Sequence, residues 1–164
     1  MPLVEAERLR KTFTSAETIF GAVSGTQILA VNDVSLTIEA GETLGLVGES
    51  GSGKSTLGRM LLRLIEPDSG SVRFDGQDVL AASGSELRRL RRDMQIIFQD
   101  PYGSLDSRMT VGQIVCEPIA IQGGESSGSR RKRAAEMLRA VGLDESVLRR
   151  YPHEFSGGQR QRIG

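Results

Sequence analysis

Thr43-Leu44-Gly45-Leu46-Val47-Gly48-Glu49-Ser50-Gly51-Ser52-Gly53-Lys54-Ser55-Thr56-Leu57 is the stretch on which the reading of the fold turns. Its first five residues form a short, nearly continuous apolar run, which predicts a strand buried on both faces. From Ser55 onward, Leu57, Leu61 and Leu64 recur at helical spacing, and Glu66-Pro67-Asp68-Ser69-Gly70 ends that helix. Between strand and helix the chain is glycine-rich: five of its 20 glycines fall between residues 41 and 53. Such a stretch needs backbone that bends tightly or approaches something closely. Just upstream, Gln27 to Glu39 alternates loosely and is rich in β-branched residues, which predicts one or two strands.

Gly48 to Ser55 fits the pattern G-x-x-x-x-G-K-[S/T] without a mismatch. The physics of that pattern is direct. Successive loop N–H groups and the unsatisfied N–H groups that open the helix make a concave anion site. Gly51 and Gly53 let the chain wrap closely around a β-phosphate, with Glu49, Ser50 and Ser52 between and beside them. Lys54 supplies a full positive charge to the β- and γ-phosphates, Ser55 a hydroxyl to Mg2+, and Thr56 completes the loop. A glycine-rich turn before a helix would be the plain alternative. Average residue usage puts a chance match at roughly half a percent for a chain of this length. The pattern names a nucleotide but no reaction.

Two further stretches narrow the class. Met94 to Phe98 is a second apolar run, predicted to be a strand that delivers Gln99, a neutral side chain able to touch Mg2+ and an attacking water. Asp100-Pro101-Tyr102-Gly103 matches a D-x-x-G switch, but the single asparagine, Asn32, is followed by Asp33, so no guanine reader is present. Near the end of the chain stands Tyr151-Pro152-His153-Glu154-Phe155-Ser156-Gly157-Gly158-Gln159. Ser156 with Gln159 three residues on predicts a helix capping box, and Gly157 and Gly158 strip side chains from the first turn. That makes a second bare helix N-terminus, which is explained most simply if two molecules share one nucleotide.

The loop 48–56, the Gln99 segment and Phe155-Ser156-Gly157-Gly158-Gln159 resemble, in order and separation, the Walker A, Q-loop and signature motifs of ABC-transporter ATPases. More narrowly, Phe98-Gln99-Asp100-Pro101-Tyr102-Gly103-Ser104-Leu105, Arg108-Met109-Thr110-Val111 and Tyr151 to Ser156 look like the ATP-binding subunits of oligopeptide and dipeptide importers. Relatives serving nickel or glutathione share much of this wording. The resemblance implies an α/β fold: a phosphate-loop, RecA-like core sheet with an antiparallel β subdomain and an α-helical subdomain. It implies a nucleotide-binding core over 1–100 and a helical subdomain over 101–164 that ends in the signature motif.

The same resemblance implies ATP and Mg2+ as cofactors, with Lys54 and Gln99 as catalytic residues and Ser55 and Gln99 at the metal. Ser156, Gly157, Gly158 and Gln159 would face the γ-phosphate of ATP seated on the loop of a second ABC ATPase subunit, identical or paralogous. Phe13 is the best match to the aromatic that stacks on adenine, with ordinary core packing as its alternative, and Thr14 to Gln27 reads as an insert before the next strand. Partners implied are transmembrane permease subunits, near Gln99 to Met109, and indirectly a solute-binding protein. The place implied is the cytoplasmic face of the cell membrane, with no membrane span in this chain. The family's Walker B strand and switch histidine would follow Gly164, so these 164 residues are expected to be an N-terminal portion that does not hydrolyse ATP alone. A non-hydrolysing nucleotide-binding module and a soluble ATPase of translation or repair remain the alternatives.

Composition agrees with this class. Twenty-one Lys and Arg balance 21 Asp and Glu, and one cysteine, Cys116, leaves no intramolecular disulfide. Arg130-Arg131-Lys132-Arg133 and Arg88 to Arg92 are expected to be solvated helix faces rather than nucleic-acid patches, because no aromatics are interleaved for base stacking. Thr110 with Gln113 predicts a capped helix that holds Cys116 as packing, Gln122 to Ser129 a loop, and Arg130 to Gly142 the next helix. His153, the only histidine, is expected to be a structural or contact residue.

Overall fold

A computed structural model of the chain describes residues 1–19, 22–98 and 105–164. The chain divides into two compact units, Met1–Gln95 and Ile96–Gly164.

The first unit is built on one antiparallel sheet in the order β2-β1-β3-β4. Strands β1 (Val4–Ile19) and β2 (Ala22–Ile38) pair from Val4↔Ile38 to Ile19↔Ala22. Within the expected insert 14–27 the pairing of the two strands continues, from Thr14 with Gln27 to Ile19 with Ala22. The ladder shifts register between Ala6 and Thr12, where Arg8 and, on the facing strand, Asp33 take positive φ. Asp68 pins that irregularity, because its carboxylate accepts from Lys11 Nζ (2.8 Å) and the Thr12 amide (2.6 Å). Those hydrogen bonds, the Lys11 side chain first, hold the Asp68 carboxyl below its ordinary value.

On its other edge β1 pairs with β3 (Ser69–Phe74), which turns through Asp75-Gly76 into β4 (Gln77–Asp78). Both turn residues have positive φ, the conformation that suits a two-residue hairpin and that glycine adopts without strain. One face of the sheet is covered by helix α1 (Lys54–Leu61). Leu57 and Met60 from the helix meet Leu9, Val31 and Val72 from the strands, with Val79 and Leu90 closing the core. Met60, Leu9 and Val72 are fully buried, each contributing about 1.5–3 kcal/mol by leaving water. Helix α2 (Gly84–Leu90) starts at a capping box made by Ser83 and Glu86.

Two expected strands are corrected. Thr43–Val47 and Met94–Phe98 have no regular secondary structure and pair with no strand among the described residues, and Val47 and Ile97 are 95% and 87% exposed. An apolar run becomes a strand only when a neighbour takes its N–H and C=O groups.

The second unit is helical. Helix α3 (Val111–Gln122) is capped as expected: the Thr110 amide donates to Gln113 Oε1 (2.8 Å) and the Gln113 amide to Thr110 Oγ1 (3.3 Å). Helix α4 (Ser127–Ala140) begins earlier than expected because Ser126 caps it, accepting from the Ser129 amide, so the loop shrinks to residues 123–126. A 3-10 helix (Glu145–Arg149), a short 3-10 turn (Pro152–Glu154) and helix α5 (Gly157–Ile163) follow. Val111, Leu138, Leu148, Phe155 and Ile163 share one core, and Cys116 packs against its edge.

Candidate nucleotide site

The phosphate loop is shaped by its seat on the sheet. Gly53 stands at the N-terminus of α1 with φ 88 and ψ 0, in the left-handed region. A β-carbon there would fall inside the van der Waals shell of the Ala30 carbonyl oxygen on β2. The loop thus turns into the helix directly over β2, a closeness only glycine allows. Gly51 has nearly the same φ, 85, but faces open space. Ser52 closes a tight turn by donating its amide to the Glu49 carbonyl (3.2 Å).

No side chain caps α1 and no acid occupies its first turn, so its leading N–H groups stay open to an anion. Lys54 lies across the loop. Its Nζ donates to the carbonyl oxygens of Gly48 (2.7 Å) and Glu49 (2.6 Å) and contacts Ser52 Oγ (3.2 Å). All three ammonium hydrogens are therefore spent inside the loop, and an arriving phosphate would take them over. Ser55 is exposed in the first turn of α1, and Thr56 is half-buried behind it. Among the described residues no group of three or more His, Cys, Asp or Glu could hold a metal ion. A single hydroxyl fits Mg2+ when phosphate oxygens and water complete its shell.

Phe13 pairs with Ile28, two residues along β2 from the Ala30 carbonyl that supports Gly53. That places it about 7 Å along the ladder and one strand over from the loop's seat. Its ring is 39% exposed, so it is not core, and Lys11 Nζ stands 5.7 Å from its centroid. Gln99 lies outside the described residues, as does the D-x-x-G match at 100–103.

Ser156 to Gln159 belong to the second unit. The Ser156 amide donates to Gln159 Oε1 (3.0 Å) and the Gln159 amide to Ser156 Oγ (3.4 Å), closing the expected capping box on α5. The turn that delivers Ser156 is held in part by Arg150, which lies just outside the stretch singled out in the sequence. Arg150 Nη2 donates to the Glu154 carbonyl (2.7 Å), and its guanidinium lies 4.3 Å from the centre of the Phe155 ring. Glu154 accepts from the Tyr151 amide (2.6 Å), which with Arg150 keeps its carboxyl below the ordinary value. Arg162 reaches back to the carbonyl of Val141 (3.1 Å) and so ties α5 to the end of α4. The spacing of Arg150 and Glu154, four apart, was the available signal. His153 stacks on Tyr151 at 5.7 Å, a contact role as expected.

The ABC transporter family matches residues 31–164. A putative peptide import ATP-binding protein of Brucella ovis is 55% identical over 134 residues, 82% of this chain and 42% of the relative. A glutathione import ATP-binding protein of Pectobacterium atrosepticum is 48% identical over 162 residues, 99% of this chain and 26% of the relative. The chain thus spans less than half the length of these relatives. Among solved structures, a dimeric ATP-binding cassette in a post-hydrolysis state, bound to ADP and Pi, has a TM-score of 0.80 at 32% identity. That likeness covers 98% of this chain and 66% of the cassette, in line with the expected α/β cassette fold. The family match takes in both the Lys54 loop and the Ser156 helix, and the chain belongs to the ABC transporter family.

Proposed function

We propose that this chain is the nucleotide-binding part of an ATPase subunit that powers import of short peptides. The observation that carries the reading is the loop over β2, with open helix N–H groups and the Lys54 ammonium bridging Gly48 and Glu49. ATP would lie with its β- and γ-phosphates in that cradle and its adenine toward Phe13. Ser55, and Gln99 by family resemblance, would hold Mg2+, which neutralises charge on the phosphate oxygens. In the same reading Lys54 and Gln99 serve hydrolysis, the first by holding the γ-phosphate and the second by orienting water.

Ser156, Gly157, Gly158 and Gln159 would close over the nucleotide of a second subunit, a reading supported by the dimeric cassette among the neighbours. Permease subunits and the cytoplasmic membrane face belong to the proposal. No described helix is long and apolar enough to cross a membrane. Peptides are favoured as cargo by the Brucella relative, and the glutathione relative points the same way, since glutathione is itself a tripeptide.

Titrating the chain with Mg-ATP tests the reading. Replacing Lys54 by Ala removes a charge-assisted contact worth about 1.5–3 kcal/mol, so affinity should fall by roughly ten- to a hundredfold with the fold intact by circular dichroism. Equal affinity in the two proteins would overturn it.

A further inference from the structure

The second unit, taken by itself, gathers cations around a cleft. The cleft, about 810 Å³, lies between α4 and the 3-10 helix and is lined by Arg131, Lys132, Arg139, Arg149, Asp144 and Glu145. Four cations against two carboxylates leave it two charges positive. Both carboxylates are already engaged. Glu145 is paired with Arg139 at 2.9 Å, and Asp144 accepts from the Ser146 amide at 2.9 Å. The side chains of Arg131, Lys132 and Arg149 have no hydrogen-bond or ion-pair partner among the described residues. Arg131 and Arg149 also line an adjoining cleft of about 360 Å³, where Arg130 and the hydroxyl residues Thr110 and Ser127 join them.

These cations are placed against their own helix. Arg130 to Arg133 fall in the first two turns of α4, whose first turn carries no acid, so they face the positive end of the helix dipole. Glu125 offsets one of them, bonding Arg133 at 2.8 Å. Arg149 then arrives from a different element and adds to the same uncompensated charge. Nothing in the packing of the unit asks for this convergence, since the core here is made by Ala134, Ala135, Leu138 and Leu148. Arg131, Lys132 and Arg133 are exposed on the helix, as expected of a solvated face.

We propose that this cleft is a second anion site, which binds a phosphate group between Arg131, Lys132 and Arg149. The phosphate comes either from a free phosphate compound or from the headgroup of an anionic lipid. Arginine forks suit phosphate oxygens in pairs, while Lys132 supplies a movable point charge. The site is independent of the Lys54 loop.

The test uses the chain carrying Lys54→Ala, which silences the loop, titrated with inorganic pyrophosphate and followed by amide shifts of residues 127–149. Saturable binding is expected. It should weaken by about tenfold or more in Arg131→Ala/Arg149→Ala, from loss of charge-assisted contacts. It should be unchanged in Arg73→Ala/Arg88→Ala, which removes the same charge elsewhere. A parallel arm measures co-sedimentation with phosphatidylglycerol and with phosphatidylcholine vesicles. Binding to pyrophosphate alone assigns a free phosphate compound, and dependence of phosphatidylglycerol binding on Arg131 and Arg149 assigns the headgroup. Equal losses in the two double variants, or no saturable binding in either arm, overturn the proposal.

Discussion

Replacing Gly53 and Gly51 by alanine, one at a time, separates two costs that glycine avoids at a phosphate loop. Both residues sit in the left-handed region, at φ 88 and φ 85. That conformation costs a residue bearing a β-carbon about 1–2 kcal/mol, a term the two variants share. Only at position 53 does the new carbon also collide with the Ala30 carbonyl. Ala30 is the unpaired residue at a register shift, but its movement is limited by the paired residues on either side, Leu29 with Thr12 and Val31 with Lys11. Forcing an extra carbon against fixed backbone adds about 1–3 kcal/mol. Gly53→Ala should therefore be less stable than Gly51→Ala by about 1–3 kcal/mol, roughly five- to a hundredfold in the unfolding constant. Urea unfolding followed by circular dichroism reads this as a lower midpoint at unchanged slope. Amide exchange of Leu57, which donates to the Gly53 carbonyl at 2.9 Å, gives a local readout of the same strain. Equal midpoints for the two variants would refute the idea that the seat on β2, rather than φ alone, demands glycine.

Two further predictions concern the second unit. Ser156→Ala removes the cap of α5 and should cost about 1 kcal/mol, seen as faster amide exchange at Gln159, with Ser156→Thr restoring most of it; unchanged exchange would contradict the capping role. The Glu154 carboxyl is held below its reference of 4.5 by the Tyr151 amide and by Arg150. Because the folded value is lowered, the stabilisation is full above the unfolded value and fades as pH falls through the folded one. An NMR titration should place its midpoint below that of a free glutamate, with the Tyr151 amide shifting in step, and a midpoint at or above the free value would dismiss the contact.

The parts that local chemistry decides were legible in the sequence. The glycine-rich loop and helix, the Thr110–Gln113 cap and the Ser156–Gln159 cap each depend on residues within a few positions of one another, and each forms. The strands expected at Thr43–Val47 and Met94–Phe98 depend on something a local pattern does not contain, namely which chain lies alongside. Apolarity at Leu44, Leu46 and Ile97 was visible, but their pairing was not. The Asp75-Gly76 hairpin is legible in its dipeptide alone. The Ala30 seat beneath Gly53 had no local signal at all, because it joins positions 23 apart in the chain. The Arg131–Arg149 cleft was hidden for the same reason: a run of basic residues on a helix says nothing about the cation that another element brings to it.

The way Lys54 is held bears on how the loop greets its ligand. With the ammonium hooked over the Gly48 and Glu49 carbonyls, the ring of backbone already keeps its shape in solitude, a latch closed upon itself. Admission is then a trade of oxygen for oxygen, protein carbonyl for phosphate, and a lone phosphate offers little advantage in that trade. On the proposed reading a chain of several phosphates would offer more oxygens at once, so the resting posture of this one side chain would favour di- and triphosphates over monophosphates.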